Sequence, residues 1–395
     1  MSFICGQNQQ NQRQIRLYIP FLFLVLFLSL SAQAQVMIPA PPQIAATSWV
    51  LMDAHSGKII AEHRADEQLP PASLTKMMTS YLLEYEIKRG NVQLDDMVRV
   101  SEKAWRMPGS RMFIQEGTFV SIEDLLKGVI IQSGNDASVA VAEYLAGSEA
   151  AFADLMNQHA RSMGMDNTNF RNSTGLPEDN HYSSARDMAI LSQNKIIHYP
   201  DHYSLYSERE FTYNNISQSN RNRLLWRDST VDGLKTGHTN EAGYCLAASA
   251  VRNDMRLISV VMGARSEEGR AQESQKLLSY GFRYFETARL YEQYQVLDNA
   301  RVWQGVRDNI KLGVTEEVFA TIPRGQQSAL RAELQINDVI KAPIRAGDRL
   351  GVLKVKLGDE LITEQQLVAL ENLDEAGFFK RLWHSLLLFF TELFR

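Results

Sequence analysis

A hydroxyl and an amine that could act as nucleophile and base stand three residues apart in Ser73-Leu74-Thr75-Lys76. A serine oxygen is a poor nucleophile until a base takes its proton, and neither histidine nor carboxylate adjoins Ser73. Lys76 can take that proton if burial and nearby cations lower its pKa enough to populate the neutral amine. The motif alone is weak, since a chain of this length carries about one Ser-x-x-Lys by chance. Ser192-Gln193-Asn194-Lys195 satisfies it as well and reads as the polar end of a helix. Two further groupings give the match at position 73 its weight. Ser133-Gly134-Asn135 falls in a break between two helical patterns, where Ser133 could relay a proton to a leaving amine. The Asn135 amide there could hold Lys76 or a substrate carbonyl. Lys235-Thr236-Gly237 lies on a strand pattern and brings a second cation. On an edge strand, Lys235 and Thr236 suit a carboxylate, and Gly237 permits close approach of an extended peptide. The backbone N–H groups of Ser73 and His238 would make an oxyanion hole.

The elements that must position these groups are legible around them. Leu69-Pro70-Pro71 leads into an apolar-periodic stretch over residues 73–89 that Gly90 stops, a helix with a proline entry and a glycine exit. Its three-residue spacing puts Ser73 and Lys76 on one face, at an end rich in free N–H groups. Ser121-Ile122-Glu123-Asp124 resembles a capping box opening a helix to about residue 132. Further helical patterns cover residues 136–146, 151–163, 184–194 and 272–285. Trp49-Val50-Leu51-Met52 and Lys58-Ile59-Ile60-Ala61 flank a turn, and strands are expected at 233–236, 244–251 and 256–263. Terminal strands around a helical middle predict an α+β fold, an antiparallel sheet packed with helices. From about Tyr291, short period-two runs such as Val352-Leu353-Lys354-Val355-Lys356-Leu357 predict a small all-β module to about residue 370.

Composition bounds the alternatives. The 395 residues carry 41 Lys+Arg against 46 Asp+Glu, a net charge of -5, so no basic face of the kind a general nucleic-acid binder needs is indicated. Hydrophobic residues at 45 % and charged residues at 22 % are ordinary for a globular protein of two domains. Arg13 and Arg16, the apolar run 21–28 and Ser31-Ala32-Gln33-Ala34 form the three regions of a secretory signal peptide cleaved after Ala34. A membrane-spanning anchor needs about 20 apolar residues, and Pro20 interrupts the approach. Cleavage leaves 39 basic against 46 acidic residues, net -7, over 361 residues, and removes Cys5. Cys245 is then single and, in its apolar run, reads as a small core residue. Pro200 between His198 and His202 argues against a metal-binding helix. Neither a phosphate-binding glycine loop nor a Gly-x-Ser-x-Gly elbow occurs, and no metal or cofactor is expected.

In order and spacing, with 60 residues from Ser73 to Ser133 and 102 from Ser133 to Lys235, the three groupings resemble those of the serine penicillin-recognising enzymes. More specifically the chain resembles the low-molecular-mass D-alanyl-D-alanine carboxypeptidases. The likeness is carried by Pro71-Ala72-Ser73-Leu74-Thr75-Lys76-Met77-Met78-Thr79, Ser133-Gly134-Asn135-Asp136-Ala137, His181-Tyr182-Ser183-Ser184-Ala185-Arg186-Asp187 and Val231-Asp232-Gly233-Leu234-Lys235-Thr236-Gly237-His238-Thr239. The resemblance implies Ser73 as acylated nucleophile, Lys76 as proton acceptor, Ser133 as relay and Asn135 in support. It further implies that Lys235 and Thr236 bind the substrate carboxylate, with Arg221 and Arg270 lining the site. Class A β-lactamases share the three groupings but carry a Glu-x-x-Leu-Asn sequence that the loop 171–187, with its Glu178, does not contain.

The C-terminal stretch 377–395 divides sharply. At about 100° per residue, Phe378, Phe379, Leu382, Trp383, Leu386, Leu387, Phe389, Phe390, Leu393 and Phe394 fall on one half of a helix and Leu388 strays to the other. Lys380, Arg381 and His384 are among the polar half. Such a helix suits a membrane interface, the alternatives being packing on its own domain or on a partner; the resemblance implies the membrane. The expected organisation is therefore a signal peptide at 1–34, a D,D-peptidase domain at 35–288, a β-rich domain at 289–372 and an anchoring helix at 373–395. The expected activity is removal of the terminal D-alanine from peptidoglycan stem pentapeptides, blocked by β-lactam antibiotics, on the periplasmic face of the inner membrane. An endopeptidase or β-lactamase of the same chemistry, or a non-catalytic cell-wall-binding scaffold, are the alternatives.

Overall fold

The computed structural model describes residues 38–393; the expected leader, its cleavage site and Cys5 lie outside the described residues. An antiparallel sheet in the order β2-β1-β9-β8-β7 is built from β1 (Ser48–Asp53), β2 (Ile59–His63), β7 (Val231–Thr239), β8 (Gly243–Arg252) and β9 (Met255–Ala264). The pleat sends alternate side chains to opposite faces. Val50, Met52, Ile258 and Val260 join one large core, while Leu51 and Leu257 point the other way, at Gly281. With both faces covered, β8 and β9 are apolar almost throughout rather than alternating.

The first core is shared with α1 (Lys76–Lys88), α2 (Ile122–Ile130), α3 (Asn135–Ala146), α4 (Glu149–Ser162) and α5 (Ala185–His198). The opposite face is covered by α6 (Glu267–Tyr284). Ser121, Ser148, Ser184 and Ser266 cap α2, α4, α5 and α6, each side chain accepting from the N–H three residues on. Helix α6 thus starts at Glu267 rather than at 272, because the Ser266 cap sits there. It stops at Tyr284, since Phe285 already belongs to a strand.

Residues 73–89 are not one α-helix either. Ala72–Thr75 form a turn of 3₁₀-helix and the α-helix begins at Lys76. In the tighter winding, residues three apart eclipse one another, which brings Ser73 and Lys76 closer into line than an α-turn would. Two small hairpins complete this part: β3 (Met97–Arg99) with β4 (Phe119–Ser121), and β5 (Glu210–Tyr213) with β6 (Ile216–Ser219). The second was not expected, although Asn214 and Asn215, both at positive φ, are the residues a two-residue turn favours.

The C-terminal module is all-β. Strand β10 (Phe285–Tyr291) pairs with β13 (Val318–Pro323). Beside them β11 (Val296–Arg301), β12 (Asn309–Gly313), β16 (Glu360–Ala369), β15 (Arg349–Leu357) and β14 (Leu330–Ile336) form a second antiparallel sheet in that order. The boundary expected after residue 288 therefore cuts through β10. The module is tied to β1 by hydroxyls: Thr287 Oγ1 donates to the buried Asp53 at 2.5 Å, and Ser56 Oγ lies 2.6 Å from Thr321 Oγ1.

Helix α7 (Phe378–Leu393) rests on the module by its polar side. His384 Nδ1 accepts from the Gln304 N–H at 2.8 Å, Lys380 reaches Asp308 at 2.8 Å, and the stray Leu388 is buried. Phe378, Phe379, Leu382, Trp383, Leu386, Phe389 and Phe390 are all exposed. No helix among the described residues is long and apolar enough to cross a membrane.

Candidate active site

Ser73 opens onto a cleft of about 450 Å³ whose walls include Ser110, Ser133, Arg221, Thr236, Gly237, His238 and Arg270. Beneath it Lys76 is buried, and its amine meets three oxygens: Ser73 Oγ at 3.1 Å, Asn135 Oδ1 at 2.7 Å and the Thr174 carbonyl at 2.6 Å. Two of these oxygens can only accept, because Asn135 Nδ2 is committed to the Pro108 carbonyl at 2.6 Å, which fixes the amide's orientation. A neutral amine has two hydrogens and one lone pair. Donating to Asn135 and Thr174 spends the hydrogens and leaves the lone pair for the Ser73 O–H. Burial, and then the charge of Arg221, lower the Lys76 pKa to about 7, against opposing pulls from Asp136 and Glu149. The amine that sequence assigns as base is therefore both aimed and available.

Ser133 sits at φ +59°, a left-handed position in the break before α3, and faces the cleft. Among the described residues no hydrogen bond joins its hydroxyl to Ser73 or Lys76. The break is clamped by Asp136, whose carboxylate accepts from the N–H groups of Met112, Phe113 and Ile114.

Across the cleft β7 is an edge strand, longer than the four residues expected. A Cβ on Gly237 would stand 3.0 Å from the Pro71 carbonyl and 3.2 Å from the Ser73 nitrogen, so glycine lets the strand lie against the nucleophile's turn. Lys235 is buried behind the wall, donating to the Thr236 carbonyl at 3.2 Å. Burial, then repulsion from Lys76, Arg221 and Arg270, push its pKa well down. Arg270 is buried and holds the Gly237 carbonyl at 3.0 Å, whereas Arg221 is exposed on the rim. Arg221 is set by its buried neighbours: Asn220 bonds the Glu208 carbonyl and Asn222 the Gly233 carbonyl. His238 is exposed, its ring on Tyr244 at 4.0 Å. Glu267 also lines the cleft, 3.6 Å from Arg270, but Lys76, Lys235, Arg221 and Arg270 outnumber it, and the excess of cations suits an anion.

Sequence reasoning named the loop after Phe170 but missed what its backbone does. Besides the Thr174 carbonyl on Lys76, it supplies the Ser173 carbonyl to Thr79 Oγ1 at 2.6 Å. Asn172 Oδ1 braces Thr174 and Gly175 by their N–H groups. The contribution is made by backbone atoms, which leave no side-chain signature. The signal that could have found it is Gly175, at φ +79° and so close to Ala72 that a Cβ would overlap its carbonyl. Glu178 does not face the nucleophile: it is exposed and engaged with Asn172 and Arg171. The second Ser-x-x-Lys is a correction. Lys195 is fully buried and paired with buried Glu84 at 2.5 Å, so it ends no polar helix face.

Comparison with known proteins points to one family. Residues 35–266 match the family model described as D-alanyl-D-alanine carboxypeptidase, and residues 285–375 match the C-terminal domain of penicillin-binding protein 5. The chain belongs to the D-alanyl-D-alanine carboxypeptidase family. The carboxypeptidase DacC of Escherichia coli (strain K12) is 45 % identical over 361 residues, 89 % of this chain and 90 % of that protein. Among solved structures, penicillin-binding protein 5 from Haemophilus influenzae is 43 % identical with a TM-score of 0.80, covering 85 % of this chain and all of that one. Penicillin-binding protein D2 from Listeria monocytogenes in its ampicillin-bound form is 30 % identical with a TM-score of 0.57, covering 61 % of this chain and 100 % of that chain. The carboxypeptidase fold, with its second β domain and final helix, thus accounts for almost all of the described chain.

Proposed function

We propose that this carboxypeptidase removes the terminal D-alanine from peptidoglycan stem pentapeptides through an acyl-Ser73 intermediate. The observation that carries the reading is the buried Lys76 amine, with two carbonyl acceptors for its hydrogens and its lone pair left for Ser73. Lys76 takes the Ser73 proton as the oxygen attacks the penultimate carbonyl, and the N–H groups of Ser73 and His238 receive the oxyanion. The proton taken by Lys76 is handed, by way of the Ser133 hydroxyl at the cleft wall, to the departing D-alanine nitrogen. A water then attacks the ester, giving its proton to the neutral Lys76, which returns one to the Ser73 oxygen as that bond breaks. The terminal carboxylate lies against Thr236 and Arg221, with Lys235 and Arg270 supplying field from behind. Penicillins present a carboxylate and a strained amide in the same relation and acylate Ser73. Glu178, turned away from the nucleophile, favours this over a β-lactamase reading.

For the location, the n-, h- and c-regions of residues 1–34 support secretion to the periplasm. The open aromatic face of α7 supports attachment to the outer surface of the inner membrane, since the polar side of that helix is already used against the β module. The test is D-alanine release from a synthetic stem pentapeptide by the mature chain and by Ser73→Ala. Release by the wild type and its loss in the variant are expected; a Ser73→Ala chain that still releases D-alanine sinks the proposal.

A further inference from the structure

The loop that puts the Thr174 carbonyl on Lys76 returns to the catalytic turn at a second point. His181 is buried, and its Nε2 stands 2.9 Å from Oγ1 of Thr75, the residue between Ser73 and Lys76 on the inner side of the turn. Its other nitrogen is already assigned: Nδ1 accepts from the Arg171 N–H at 3.3 Å. An imidazole that accepts at Nδ1 is neutral and carries its proton on Nε2, so His181 donates to Thr75. The ring is enclosed by Phe170, edge-on at 6.0 Å. Burial, then the charges of Arg171 and Lys76, lower its pKa to about 4, so the imidazole stays neutral over the pH range in which Lys76 titrates.

We propose that His181 is a positioning residue for the acylation step, pinning loop 171–181 to the Ser73 turn through Thr75 so that the Thr174 carbonyl keeps the Lys76 amine aimed. This rests on the acyl-serine reading above. The loop has other ties: Ser173 bonds Thr79 and Glu149, Gly175 packs on Ala72, and the backbone pairs Asn169–Tyr182 and Leu69–Ser183 hold the chain just beyond His181. Among the described residues, the His181–Thr75 bond is what joins the 176–181 half of the loop to the catalytic turn itself. Without it the stretch beside Lys76 loosens, water reaches the amine, and the desolvation that lowers the Lys76 pKa is lost. The charged groups acting on that amine are Arg221, Asp136 and Glu149, and Lys76 in turn acts on Lys235 and His181. None of them is changed by the substitutions below except His181 itself, which is neutral throughout.

The experiment is the second-order rate of acylation by a fluorescent penicillin, measured from pH 5 to 10 on the mature chain and on His181→Ala, His181→Gln and Thr75→Val. Wild type is expected to rise through a midpoint near the Lys76 value of about 7. His181→Ala and Thr75→Val are expected to lose about 10- to 100-fold at neutral pH, the scale of a small misplacement at a reacting centre, and to move the midpoint upward. His181→Gln, whose amide can accept from the Arg171 N–H and donate to Thr75, is expected to recover most of the rate and the original midpoint. An Ala or Val variant that keeps the wild-type midpoint, or a Gln no better than Ala, overturns the inference while leaving the acyl-serine reading standing. A wild-type chain that does not acylate overturns both. If His181→Ala does not fold, the Gln and Val variants decide alone.

Discussion

At the scale of single residues, activity turns on where protons sit. Lys76 can serve as base only when neutral. Its pKa is lowered to about 7, chiefly by burial, so the sign is fixed: acylation falls by about tenfold per pH unit below that value and levels off above it. A pH profile of acylation by a chromogenic β-lactam checks this, with a flat profile from pH 5 to 9 as the contrary outcome. Lys76→Ala should lower the acylation rate by at least about 10²- to 10⁴-fold, the usual worth of a general base, measured on chains shown to be folded. Ser73, Lys76, Ser133, Asn135 and Lys235 were legible in the sequence because side-chain chemistry at fixed spacing leaves a pattern. The Thr174 carbonyl was not, because every residue has one. Nor was the state of Lys195: sequence does not say that a lysine at a helix end meets Glu84 from another helix in the core.

At the scale of elements, that pair makes its own prediction. Glu84 on α1 and Lys195 on α5 are each about 1 % exposed and 2.5 Å apart, and burial works against the charge of both. Glu84→Ala or Lys195→Ala strands a buried charge and should cost about 3–5 kcal/mol, read by urea unfolding. A paired Glu84→Leu, Lys195→Met chain should lie much nearer wild type. Equal losses in single and double variants would mean that packing, not charge, is what the pair supplies. Gly175 tests the loop in the same way: Gly175→Ala places a Cβ onto the Ala72 carbonyl in a backbone at φ +79°. Acylation should fall together with thermal stability. The helices and strands were read well where caps, prolines and periodicity mark them. The 3₁₀ turn at Ala72–Thr75 was not, because the chain packed against it, Gly175 on Ala72 and Gly237 on Pro71 and Ser73, comes from far along the sequence.

At the scale of the whole molecule, two faces look outward with different tasks. The cleft gathers cations in a protein whose net charge is -5, so overall charge is no guide to what the site binds. Helix α7 turns its polar side inward and its aromatic side out. The sequence pattern gave the two-sided character, but which side packs depended on Gln304 and Asp308, some eighty residues away. If that outward face meets lipid, Phe379→Glu with Phe390→Glu should abolish co-sedimentation of the mature chain with anionic vesicles while D-alanine release in solution is kept. Unchanged sedimentation would contradict the placement. Acylation makes one bond, from Ser73 Oγ to the acyl carbon, and intact-mass analysis of the mature chain after brief exposure to benzylpenicillin reads it directly. The expected result is a gain equal to the whole antibiotic, mapped to the peptide that contains Ser73 and absent in Ser73→Ala. An unmodified protein, or an adduct that persists in Ser73→Ala, would contradict it.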